Sequence, residues 1–145
     1  MGFGGSSGGG GTVSGASDVA LDTPIDSHVL TYDSATTKWR NGGTRVTISY
    51  QTASYTLTLA DAGRAVEINT SGGSTLTIPT NTSVAFPIGT VIEITQIGAG
   101  SITIAPASGV TLQSAGGLLE TRVQYSTASI RKRATNTWLV VGDLV

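Results

Sequence analysis

The chain has 145 residues, with 8 Lys and Arg against 9 Asp and Glu, a net charge of −1, 12% charged residues and no cysteine. That balance supplies no concentrated basic surface for nucleic acid, whose phosphates are bound by clustered cations, and it excludes disulfides and a Cys-based structural zinc site. At 39% hydrophobic it is too apolar for a disordered chain, and at 6% aromatic it is too poor in large rings for a thick core.

Residues 1–15 are Gly/Ser-rich, the composition of a flexible linker, and read as an anchoring arm. Glycine lets such an arm lie close against a neighbouring subunit. The start of the chain lacks the basic and apolar regions of a signal peptide, and no stretch approaches the ~18 apolar residues of a membrane span. The expectation is a protein made and assembled in the cytosol, with no membrane insertion.

Residues 16–43 read as a hairpin collar unit. Polar and apolar residues alternate from Asp18 to Asp22 before Thr23-Pro24 breaks the run. His28–Tyr32 is a short strand, Asp33–Thr37 its turn and Lys38–Arg40 the return, ended by Asn41-Gly42-Gly43. A lone hairpin of this size is marginal in water. Val29, Leu30, Tyr32 and Trp39 must therefore pack on something larger.

Residues 44–145 read as the β domain. Strands are predicted at Arg45–Tyr50, Tyr55–Leu59, Ala65–Thr70, Thr75–Ile78, Val91–Gln96, Ile102–Ala105, Val110–Leu112, Arg122–Tyr125, Ser129–Ala134 and Thr137–Val141. Asp61-Ala-Gly63 and Ser71-Gly-Gly73 offer tight turns with positive φ, and Gly98-Ala-Gly100 reads as a hairpin turn. Pro79 and Pro87 bracket a loop, and Ala60–Arg64 allows a single helical turn. The fold class expected is all-β: a small antiparallel β-sandwich or barrel, preceded by the hairpin unit and the Gly-rich arm. A domain of this size buries only about 60–65% of its unfolded surface, so association with other copies is the route to added stability.

No catalytic set is visible. His28 is the only histidine and there is no cysteine, which leaves little scope for His-based nucleophilic catalysis. It reads as an ordinary strand residue; the sharper alternative is three copies binding a metal on a three-fold axis. Glu67 and Glu93 alternate with Val66, Ile68, Ile92 and Ile94, so they fall on the solvent side and not in a glycosidase cleft. Asp18, Asp22 and Asp26 lack the oxygen-rich loop of a calcium site, and Gly8–Gly11 precedes no phosphate-binding helix. Arg131-Lys132-Arg133 reads as a solvated strand whose charges discourage edge pairing. Trp39, Tyr50, Tyr55 and Tyr125 are candidates for stacking on a sugar, whereas Trp138 reads as a core anchor. No cofactor is expected.

Two segments resemble bacteriophage virion proteins. Ser14-Gly-Ala-Ser-Asp-Val-Ala-Leu-Asp22, Val29-Leu-Thr-Tyr-Asp33 and Lys38-Trp39 look like a short unit of tail-fibre and minor tail proteins. Tyr55–Gly63, Val66-Glu-Ile68, Thr77-Ile-Pro79, Phe86–Ile92, Gly98-Ala-Gly100, Tyr125–Ala128 and Thr137–Asp143 are similar to a β domain at the ends of phage structural proteins. The chain departs from a long tail fibre in having no shaft. The resemblance implies a non-enzymatic virion component, usually homotrimeric: a fibre, minor tail or capsid-decoration protein docked by its arm on the capsid or tail. Val19, Leu21, Leu30, Tyr32 and Trp39 are the expected anchoring or subunit contacts. The competing expectation is a module that binds a host receptor or surface glycan.

Overall fold

A computed structural model describes residues 17–20, 28–33, 37–43 and 46–145. The arm at 1–15, Leu21, Asp22, Asp26 and most of the turn after Asp33 lie outside the described residues, as does the His28 side chain. The chain divides into two compact units, Met1–Arg45 and Val46–Val145.

In the first unit, β1 (Val19–Ala20), β2 (His28–Asp33) and β3 (Lys38–Gly43) form a three-stranded sheet in the order β1-β3-β2. The expected hairpin is β2 and β3, antiparallel with Tyr32 opposite Trp39. Two details differ from expectation. The return strand continues through Asn41-Gly42-Gly43, because each of these residues has a partner on β2. A third strand also joins, parallel to β3, through the Trp39 N–H donating to the Asp18 carbonyl at 2.7 Å.

The second unit is all-β. It contains β4 (Ile48–Gln51), β5 (Tyr55–Thr56), β6 (Ala65–Ile68), β7 (Ser74–Ile78), β8 (Val91–Gln96), β9 (Ile102–Pro106), β10 (Thr111–Ser114), β11 (Thr127–Ala134) and β12 (Thr137–Gly142). These make a six-stranded sheet, β10-β12-β11-β8-β6-β4, and a three-stranded sheet, β5-β7-β9. Successive strands from β4 to β9 alternate between the sheets, so the chain runs in coils that each add a strand to both. Strands from successive coils therefore stack parallel: β4 on β6, β6 on β8, β5 on β7 and β7 on β9. Val66 sits beside Ile94 and Leu76 beside Ile104, both a step of 28 residues.

Most pairing in this unit is thus parallel; the antiparallel pairs of strands are β8 with β11 and β11 with β12, with isolated antiparallel bridges at Thr103–Glu120 and Thr121–Leu144. This corrects the expected antiparallel arrangement. Alternation along a strand decides which side chains face the core, and that pattern is the same whichever way the neighbouring strand runs. The core lies between the sheets, built from Val66, Ile68, Ile92, Ile94, Ile130 and Val140 on one side and Leu76, Ile78, Ile102 and Ile104 on the other. Trp138 is buried, with its ring edge-to-face on Phe86 at 5.4 Å.

Gly98-Ala-Gly100 is a coil corner and not a hairpin turn, because β8 and β9 belong to different sheets. The Gly100 N–H donates to the Thr70 carbonyl of the preceding corner at 2.9 Å. A Cβ on Gly98 would lie 2.1 Å from the Thr70 oxygen, and one on Gly100 would lie 1.8 Å from the Gly72 oxygen. Glycine is needed here for close stacking of backbones. Gly72 and Gly73, expected at positive φ, are not there, whereas Gly63 is, with φ of 71°.

The predicted strand at Arg122–Tyr125 is a turn. Ser126 Oγ accepts from the Val123 N–H at 3.1 Å, and Tyr125 takes a left-handed φ of 69° that no strand tolerates. Lys132 is buried, which corrects the solvated reading at that residue, whereas Arg131 and Arg133 are exposed. Lys132 shares the inward side of β11 with Ala128 and Ile130, and its Nζ donates to Asn81 Oδ1 and to the Phe86 carbonyl at 2.7 Å. Those bonds tie the loop between Pro79 and Thr90 to the sheet. A single helical turn, Leu59–Asp61, overlaps the one expected at Ala60–Arg64 but starts a residue earlier and ends sooner; Asp61 Oδ2 closes it by accepting from the Thr58 N–H at 2.8 Å.

Candidate functional site

The first candidate surface is one side of the β1-β3-β2 sheet. Residues in register on neighbouring strands point to the same side. Val19, Trp39 and Tyr32 therefore form one row across the three strands, and Leu30, two residues from Tyr32, joins it. The Tyr32 and Trp39 rings meet edge-to-face, with centroids 5.4 Å apart. Even so, Leu30, Tyr32 and Trp39 remain 46%, 54% and 41% exposed. The sheet assembles four of the five residues expected to make anchoring or subunit contacts, the fifth being Leu21. Lys38 Nζ, donating to the Ser17 carbonyl at 3.1 Å, helps fasten the segment before β1 to the return strand.

The second candidate surface is the outward side of the six-stranded sheet, and sequence reasoning did not single it out. Val91, Leu139 and Val141 border an open groove of about 390 Å³ together with Ser129 and Arg131. A smaller groove of about 150 Å³ shares Val91 and is bordered by Val46, Gly63, Arg64 and Glu93. Ile48 and Tyr50 extend the same side onto the edge strand β4, at 55% and 52% exposure. The sequence signal is the run Trp138-Leu-Val-Val141, which is apolar at both parities where a strand with one wet face would alternate.

The tyrosine candidates of the second unit are not brought together. Tyr50, on β4, and Thr127, which follows the Tyr125 turn, lie three strand spacings apart in register, roughly 14 Å. Tyr50 OH accepts from Asn69 Nδ2 at 2.5 Å. Tyr55 is half-buried against the core, and its OH donates to Asp61 Oδ2 at 2.9 Å. Tyr125 is the most exposed of the set, at 71%, on a turn braced by its own N–H donating to the Gln96 carbonyl at 2.7 Å.

Glu67 and Glu93 stand on the outward side of the sheet, two residues out of register with each other across β6 and β8. Asp143 is a carboxylate with a shifted titration. The Arg122 guanidinium, donating through Nε at 2.7 Å and Nη2 at 3.0 Å, holds that carboxyl below its usual range, and the Ser126 hydroxyl adds to the effect. The carboxylate in turn raises the Arg122 value. This pair ties the chain before β11 to the end of β12; it is exposed and frames no cleft. Among the described residues no three His, Asp or Glu side chains are grouped closely enough to hold a metal ion, and no helix is long and apolar enough to cross a membrane. No protein-family model matches the chain, and a search of curated proteins finds no match either.

Proposed function

We propose that the protein is a non-enzymatic structural component of a phage virion, a short homotrimeric appendage of tail or capsid. The arm at 1–15 docks on a capsid or tail protein of the same particle, the unit at 16–43 serves as collar, and the β unit supplies a stiff body. The observation that carries this is the row Val19–Trp39–Tyr32 with Leu30 on a three-stranded sheet, of which Leu30, Tyr32 and Trp39 are exposed. So small a sheet gains independent stability only by covering its apolar face. Copies of the same sheet are the simplest cover, and the resemblance of this segment to phage tail proteins agrees with them. The stacked coils support the role of the body, since their inward positions are filled by Ile, Val and Leu.

The test is the mass of the full-length protein in solution, measured by light scattering for the native chain and for Trp39→Ala. The native chain is expected at three chain masses. A Trp ring buried between copies is worth about 3–5 kcal/mol, so the variant is expected to dissociate at concentrations where the native protein does not. Unchanged assembly of Trp39→Ala would remove the collar from the proposal.

A second function, attachment to a host receptor or surface glycan, is favoured by Tyr125 alone. Its 71% exposed ring on a hydrogen-bonded turn is a preorganised stacking platform. Saturable binding on a glycan array, lost in Tyr125→Ala, is the expected result; absence of binding by the native protein would leave the structural role alone.

A further inference from the structure

We propose that the outward side of the six-stranded sheet is itself a contact between copies of this chain, with Arg131 of one copy paired to Glu93 of the next. It rests on the oligomeric part of the function proposed above and adds the surface and the residue pair. Both residues are exposed and lie on the two central strands, Arg131 on β11 and Glu93 on β8. Among the described residues neither side chain has a hydrogen-bond or ion-pair partner. Arg131 stands opposite Val91 and Glu93 opposite Ser129, which puts the two residues on a diagonal roughly 7–8 Å apart.

Between and beside them runs the apolar strip of Val91, Leu139 and Val141, with Val46 and Ile48 further along. A surface with an apolar centre and charges of both signs around it, Arg64, Arg131 and Arg133 beside Glu67 and Glu93, is complementary to itself. In a closed cyclic assembly every copy both presents Arg131 to one neighbour and offers Glu93 to another, so neither charge of this pair is left over. A partner that was uniformly acidic or basic would match one of the two charges and clash with the other. The second copy is therefore the occupant that fits. The apolar strip supplies contact area, and the charge pair fixes which way the copies meet.

Charge reversal on the full-length protein tests this, with light-scattering mass and thermal unfolding as the readouts. Arg131→Glu and Glu93→Arg are each expected to lower the solution mass, with a dissociation constant raised at least tenfold at low salt. The double variant carrying both reversals is expected to regain the native mass. Both positions are exposed, so the fold is expected to persist in every variant. Single reversals that leave the mass unchanged, while Trp39→Ala lowers it, would overturn this interface and leave the collar standing. Single reversals that dissociate the protein with no recovery in the double variant would overturn the pairing. A native chain of single-chain mass would overturn the oligomeric function itself.

Discussion

Gly100 and Gly72 face each other across two coil corners, yet only one of them has no room for a side chain. A Cβ on Gly100 would fall 1.8 Å from the Gly72 oxygen, whereas one on Gly72 meets nothing within 4 Å. Backbone cannot move aside as a flexible side chain can, so Gly100→Ala is expected to cost about 1–3 kcal/mol of stability, the usual range for overpacking. Gly72→Ala should stay within about 0.5 kcal/mol of the native protein. Chemical denaturation of the two variants checks the contrast, and equal effects would argue against stacked corners. Asp143 offers a separate test in pH. Its carboxyl is held down by Arg122 and Ser126, so its contribution is complete above the unfolded carboxylate value of about 3.9 and is lost as pH falls through the lower folded value. The raised Arg122 changes protonation only in strong alkali and leaves this window untouched. The pair is exposed and its effect small. Thermal unfolding of Asp143→Asn is expected to decline less steeply than that of the native protein between neutral pH and about pH 2.

At the scale of elements, most strand positions were legible in the sequence, Arg122–Tyr125 excepted, and beyond the β2–β3 hairpin the strand partners were not. Val91–Gln96 is a strand with the predicted bounds, and the β11–β12 hairpin turns at Thr135-Asn136, where Asn136 takes the φ of 56° that asparagine tolerates. The direction of pairing was hidden because an inward Ile94 is equally satisfied by a parallel or an antiparallel neighbour. The Gly98-Ala-Gly100 corner misled for a related reason: glycine required for close backbone approach has the same letter as glycine required for positive φ. Lys132 was misplaced by giving its charge more weight than its parity, since period-two alternation with Ala128 and Ile130 already sends it inward. Of the surfaces, the Trp39 row could be read from alternation and the turn. The sheet face carrying Arg131 and Glu93 could not, because it depends on β8 and β11 being neighbours although they are far apart in sequence.

At the scale of the whole molecule, two features bear on assembly. The edge of β9 is covered by the segment around Glu120, with the Ile104 N–H donating to the Leu119 carbonyl at 2.8 Å. The edge strands β4 and β5 of the first coil have no further strand beside them among the described residues. Exposed apolar residues lie on sheet faces in both units, Trp39 and Tyr32 in one, Ile48, Val91 and Val141 in the other. Exposed apolar patches mark interaction surfaces, and the proposed assembly of copies would cover them. The most direct measurement is the mass of the native full-length protein in dilute solution. Three chain masses are predicted at low micromolar concentration, and a mass of one chain under those conditions would contradict the account.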